Sequence, residues 1–221
     1  MKDDKPKLSI FDTFKTKRTQ ITGEASRQRS IIKHLTDSTT SASKTRTSIS
    51  QKIAEENGIK WKNIYSGVFR DLDEILIPLG IVEEEGRLPL KRGPKALQQN
   101  GMPFYHLTNK GLLVALSLEE VQNRNKILDQ IISKTSDAEK ENFIIIQKLI
   151  LIAPTFGYSF FERYIRSFCN GKIPDLLPFT ISNLKESADN STKIQIEFLE
   201  GFSRLQKTER EITINFLKKI E

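Results

Sequence analysis

Five residues between positions 60 and 70 could do chemistry on a polyanion. Lys62, Asn63, Ser66 and Arg70 recur at the spacing that puts them on one side of a helix, with Lys60 at its start and no acid among them. Cationic ends neutralise anionic oxygens, while an amide and a hydroxyl supply paired donors and acceptors, a combination suited to an anionic ligand with hydrogen-bonding edges. A second basic group, Arg87, Lys91, Arg92 and Lys95, follows in a stretch rich in Gly, Pro and Gln. Other chemistry has no such constellation. His34 and His106 have no acid at suggestive spacing, and no Ser stands in a nucleophile-elbow context. With these two histidines and a single thiol, Cys169, there is no common zinc site, and no glycine loop could cradle a nucleotide. The sequence therefore predicts no catalytic residue, no metal ligand, no cofactor and no enzyme. Cys169 reads as a buried, inert thiol rather than a redox sensor.

The charge is placed unevenly. The 221 residues carry 35 Lys and Arg against 28 Asp and Glu, a net +7. Residues 1–70 hold 15 bases and 7 acids, 71–86 hold six acids and no base, and 87–110 hold five bases and no acid. From residue 122 onward 15 bases nearly balance 13 acids. A polyanionic partner is thus expected on the first half. Lone Cys169 excludes an intramolecular disulfide and fits a reducing compartment, so a cytoplasmic location is expected. The longest apolar run, Phe143 to Ile152, is interrupted by Gln147 and Lys148 and is about half the ~20 residues of a membrane span, so no membrane partner is expected.

Hydrophobic periodicity supplies the elements that would position these residues. Residues 1–21 lack apolar period and read as a flexible basic arm. Thr22 starts a helix from Gly23 to about Leu35 that turns Ala25, Gln28, Ile31, Ile32 and Leu35 to one face. Residues 36–47 read as an exposed polar connector. Ser48 and Gln51 form a capping box for a short helix that stops at Asn57-Gly58. Trp61, Ile64, Tyr65, Val68, Phe69, Leu72, Ile75 and Leu76 then predict a buried face on a longer helix over 60–76. Gly80 to Gly86 and Pro103 to Leu107 read as strands of a hairpin whose long tip carries the second basic group.

Two helices joined by an Asn-Gly-Ile turn, with Ala54, Gly58 and Ile64 at the small, turn and buried positions, resemble a helix-turn-helix. Tyr105-His106-Leu107-Thr108-Asn109-Lys110-Gly111 resembles the closing signature Tyr-x-Leu-Thr-x-x-Gly of winged helix-turn-helix regulators of bacteria and archaea, the MarR-like and PadR-like groups among them. The resemblance covers residues 22 to about 120. It implies a winged helix-turn-helix domain over 22–121, a DNA-binding transcription factor, and a homodimer. The helix over 60–76 would read double-stranded DNA in the major groove beside a basic wing at 87–101. The DNA-contacting set is then Ser48, Lys60, Lys62, Asn63, Ser66, Arg70, Arg87, Lys91, Arg92 and Lys95. Two departures from that pattern are a wing loop longer than usual and the acids Glu83, Glu84 and Glu85, which favour the alternative of a winged-helix adaptor that binds protein rather than DNA.

Residues 122–221 read as a helical domain: 125–133, 140–152 stopped by Pro154, 158–169, then, after a loop bracketed by Pro174 and Pro178, 191–205 and 208–220. The stripe Phe160, Phe161, Tyr164, Ile165 and Phe168 reads as core. Ile194, Phe198, Phe202 and Leu205 share a face, as do Ile212, Phe216, Leu217 and Ile220, so this half is expected to dimerise, receive a signal or dock a protein partner. The expected fold class is mainly α with a small β-hairpin wing.

Overall fold

The computed structural model describes residues 6–90 and 100–220. Ten α-helices and a two-stranded antiparallel sheet make up its regular structure among these residues. Helix α1 spans Gly23–Asp37, with the Thr22 hydroxyl accepting from the Ala25 amide at 3.1 Å, and buries the five residues that its period predicts. Ile31 and Ile32 are wholly covered, each removal from water contributing about 1.5–3 kcal/mol. The segment before it is not a loose arm over residues 6–21. Leu8 and Ile10 lie in the core, the Ser9 amide donates to buried Gln28, and Phe11 sits between the guanidinium groups of Arg29 and Arg166 at 5.5 and 4.0 Å. Isolated apolar residues without a period carried that contact.

The polar connector also folds, through a 3-10 turn at Ser41–Lys44. Thr45, which is buried, then caps helix α2, Arg46–Glu56, by accepting from the Ser48 amide, and pairs with Phe104 in an isolated antiparallel bridge. Ser48 is therefore inside the helix rather than its cap, and its hydroxyl donates to the Ala42 carbonyl at 2.8 Å. Gly58 takes φ of 63° in the turn after α2, a conformation a Cβ would disfavour. Helix α3, Trp61–Arg70, continues directly into a π-helical turn, Asp71–Leu76, so the expected long helix changes its winding at Asp71.

Strands β1, Val82–Leu88, and β2, Met102–Leu107, pair from Val82↔Leu107 to Leu88↔Met102 with a slip in register between Glu84 and Gly86. Helix α4, Asn109–Leu116, starts at Thr108, whose hydroxyl accepts from the Gly111 amide and donates to the Gly80 carbonyl. The glycine that closes the signature has a steric reason: a Cβ at Gly111 would stand 2.2 Å from the Ile81 carbonyl oxygen. Every residue from Gly111 to Leu118 is buried, so α4 runs through the middle of the molecule.

Helices α5, Arg124–Lys134, α6, Asp137–Ile152, and α7, Pro154–Cys169, follow, Pro154 opening α7 where its missing amide costs nothing. Phe143 and Tyr164 pack on Phe179 with ring centres 4.4 and 4.8 Å away, so Phe161, Tyr164 and Ile165 of the aromatic stripe are core as its spacing predicts, whereas Phe160 and Phe168 are only half-buried against it. Burial holds the Cys169 thiol protonated, its pKa pushed up to about 12. Between the loop bracketed by Pro174 and Pro178 and the helix expected from 191 stands a further helix, α8, Ile181–Ser187, too short to leave a period; α9, Asn190–Arg204, and α10, Lys207–Ile220, follow. One cluster of buried side chains runs from Leu8 to Phe179, so the parts expected as 22–121 and 122–221 share a core. No helix among the described residues is long and apolar enough to cross a membrane.

What fixes α3 against α1 is an ion pair. Asp71 is fully buried, and Arg27 clasps it with two donors, at 2.5 and 3.1 Å. Burial pushes the Asp71 carboxyl above its ordinary range, Arg27 pulling it part of the way back.

Two outcomes follow for stability. Gly111→Ala should cost about 1–3 kcal/mol in urea unfolding, because the obstructing atom is backbone and cannot swing aside. Arg27→Met should cost about 3–5 kcal/mol at pH 7 by leaving a buried carboxylate without its hydrogen-bonded partner. Without the Arg27 guanidinium, folded Asp71 binds its proton more tightly than the unfolded chain does, whose carboxyl titrates at about 3.9. Stability of this variant should therefore rise as pH falls from 7 towards 5, and a pH-independent loss would count against the unpaired charge as its cause.

Candidate nucleic-acid interface

The outer side of α3 is open. Lys60, Lys62, Asn63, Ser66 and Arg70 are all exposed, and the chain's second half covers none of them. The core requires this arrangement: Val68, Leu72 and Leu76 are drawn into the cluster beneath, which rotates the positions between them outward. Lys60 stands at the N-cap with no side-chain hydrogen bond to the helix, and the first turn carries no acid.

Most of the acids around this face are turned onto bases of the same chain, while Glu74 stays exposed with no ion pair among the described residues. Asp71 goes to Arg27, Asp73 to Arg46, Glu24 to Arg70 at 3.0 Å and Glu85 to Lys44 at 3.0 Å. Desolvation raises the Asp73 carboxyl and Arg46 lowers it again. Glu84 takes Arg87 at 2.6 Å, and Glu83 lies 3.0 Å from the His106 ring. His106 thus gains acidic partners across the hairpin, which linear spacing does not reveal; Glu83 and His106 are register partners. Lys60 and Lys62 have no ion pair among the described residues.

The expected contact set therefore divides. Lys60, Lys62, Asn63 and Ser66 are brought together and free. Arg70 is beside them but shared between Glu24 and Asp71. Arg87 belongs to β1, bonded to Glu84 and to the Asn100 carbonyl, so it faces its own strand pair rather than a tip. Ser48 is half-buried and its hydroxyl is engaged with Ala42, which leaves it a poor contact. Lys91, Arg92 and Lys95 lie outside the described residues.

Trp61 and Phe69, which the period assigns to the core, are instead 37% and 43% exposed. They form a ladder with Tyr65 along α3, ring centres 5.7 and 6.4 Å apart, and Arg46 lies 4.2 Å over the Phe69 ring. Ile59 is exposed in the turn just before. The surface is thus a polar, cationic stripe edged by aromatic rings. The signal was the width of the apolar arc: Trp61, Tyr65 and Phe69 sit to one side of Ile64, Val68 and Leu72, more than one packing neighbour can cover.

Among the described residues no group of His, Cys, Asp and Glu could hold a metal ion. His34 is satisfied locally, by the Ser43 carbonyl at 2.8 Å and the Ser38 hydroxyl. Compared with known proteins, the chain matches no family model, and neither a curated protein nor a solved structure shows significant similarity to it.

Proposed function

We propose that this chain is a winged helix-turn-helix protein that binds double-stranded DNA and regulates transcription in the cytoplasm, a binding protein rather than an enzyme. The observation that carries the reading is the exposed, acid-free stripe Lys60, Lys62, Asn63 and Ser66 on the second of two helices joined by a tight turn. The order α1, bridge at Thr45, α2, α3, hairpin, α4 supports the winged-helix assignment. In this reading Lys60 and Lys62 neutralise phosphates, Asn63 pairs with a base edge, and the exposed rim of Trp61 and Phe69 meets the methyl groups of thymine. Arg70 contributes only by giving up Glu24.

Exposed Ile59, Trp61 and Phe69, together with the solvent-facing Glu83 to Glu85, favour one other reading, a protein-binding adaptor. There the same rings anchor a partner and the lysines rim the contact.

The two readings diverge on duplex DNA selected from a random pool by the full chain. Lys62→Ala with Asn63→Ala should weaken binding roughly 10–100-fold, the worth of one base contact and one phosphate contact. The lost lysine should also reduce the slope of log affinity against log salt by about 1. Recovery of no duplex from the pool, or binding indifferent to both salt and these substitutions, would reject DNA and leave the adaptor.

A further inference from the structure

The two C-terminal helices are amphipathic without a partner. No residue of α9 is buried, and Ile194, Ile196, Phe198 and Leu199 are between 49% and 65% exposed; on α10, Ile212 and Phe216 exceed 60%. Both helices carry the same hexapeptide pattern 18 residues apart, Ile194-x-Ile196-x-Phe198-Leu199 and Ile212-x-Ile214-x-Phe216-Leu217. At 100° per residue this pattern spreads apolar side chains over about 200° of the helix surface, where one packing neighbour needs ~100°. Each helix is therefore built for contact on two sides. Helices of 15 and 14 residues are marginal alone in water, so their stability has to come from something packed against them.

Where the arm joins the body lies its complement. Helices α6, α7 and α8 enclose an open apolar groove of about 290 Å³, lined by Ile145, Ile146, Leu149, Phe160, Ile181 and Leu184, and Thr192 at the root of the arm reaches its edge. Ile145 and Ile181 are about half exposed, and Leu151 and Ile152 at the end of α6 are near 80%.

We infer that two copies of this chain associate by exchanging α9 and α10, the arm of each covering the α6–α8 groove of the other. A surface that carries both an apolar arm and an apolar groove is self-complementary, as a two-fold interface requires. The exposed aliphatic and aromatic side chains of arm and groove amount to about 1,000 Å² per copy, taking ~180 Å² for a large side chain, against ~800 Å² per partner in a standard stable interface. The polar sides of the arm carry six bases, Lys193, Arg204, Lys207, Arg210, Lys218 and Lys219, and four acids, Glu197, Glu200, Glu209 and Glu211. That near balance suits a protein neighbour and not an anionic membrane or a nucleic acid, which a strongly basic face would serve. The two copies pair in this way whatever α3 binds.

Sedimentation of the full chain tests the exchange. The wild type should sediment at twice 25.3 kDa. An arm variant, Phe198→Glu with Phe216→Glu, and a groove variant, Ile145→Glu with Ile181→Glu, should each sediment as monomers, with dimer dissociation constants raised roughly 100-fold or more. Mixing the two restores one intact arm and one intact groove per pair, so the mixture should form heterodimers, weaker than the wild type. Lys193→Glu with Glu200→Lys, on the polar side, should remain dimeric. A wild type that is monomeric throughout the micromolar range would overturn the inference, as would variants that stay dimeric. Monomeric variants that form no heterodimer would overturn the exchange, because an intact arm would then find no seat in an intact groove. Circular dichroism of the variants at 222 nm, retaining the helicity of α1 to α8, separates lost association from lost folding.

Discussion

The Arg27–Asp71 pair sets the geometry on which the exposed surface of α3 depends. Asp71 is the first acid after the cationic stripe, one residue beyond Arg70. On a regular helix left to solvent it would lie close to that stripe and cancel part of its field. Instead it is wholly buried at the start of the π-helical turn and held by a guanidinium from α1 44 residues away. A buried carboxylate is tolerated only with a charge and hydrogen bonds to meet it, so Arg27 and Asp71 constrain each other and, through them, the roll of α3 on α1. The same contact that positions the helix removes an acid from its outer face.

That removal is one instance of a wider partition of charge. The sequence concentrates six acids between residues 71 and 86, directly between its two basic blocks, and a linear reading makes them a barrier to any polyanion. In three dimensions Asp71, Asp73, Glu84 and Glu85 each meet a base and Glu83 meets an imidazole, which leaves Glu74 as the one exposed acid of the six with no ion pair among the described residues. Several of those bases, Arg27, Lys44 and Arg46, come from the α1–α2 region, so part of the positive excess of the first seventy residues serves to neutralise the acidic block. What remains without an ion pair among the described residues is small, Lys60 and Lys62, but no acid interrupts the stretch from Lys60 to Arg70. The aromatic rim of Trp61, Tyr65 and Phe69 beside it lowers the competition from water for whatever the lysines meet, since an apolar edge cannot offer solvent a hydrogen bond.

Elements with a strong period were legible from the residues alone. α1 was bounded by its cap and its 3.6-residue repeat, and all five of its predicted inward residues are buried. α3, α6, α7, α9 and α10 were found in the same way, and Gly58 and Thr108 mark the turn and cap that their residue types suggested. The misses have a common cause, which is that contacts between residues distant in sequence leave no local repeat. Leu8 and Ile10 are lone apolar residues in a polar segment; Thr45 caps α2 in place of Ser48 because its backbone is held by Phe104; α8 is seven residues long. Within the candidate site, exposure of Lys60, Lys62, Asn63 and Ser66 followed from periodicity, whereas the capture of Arg70 by Glu24 and of Arg87 by Glu84 required the fold.

Helix α4 connects the candidate interface to the apolar arm. It is buried from Gly111 onward, packs on α1 and β2 on one side and on α5 and α7 on the other, and lies within the single cluster that reaches from Leu8 to Phe179. Polar contacts reinforce the join: Lys110 at the start of α4 binds Asp175, Arg29 of α1 binds Glu120, and Phe11 is held between Arg29 and Arg166. A close-packed interior of this kind transmits position rather than absorbing it. The root of the arm and the outer face of α3 are therefore held at a fixed relation within one chain, and pairing two chains through their arms would fix the separation of the two α3 helices as well. Under the proposed reading of duplex DNA that separation would select the spacing between half-sites, so the buried helix between the halves would bear on specificity along with the lysines on the surface.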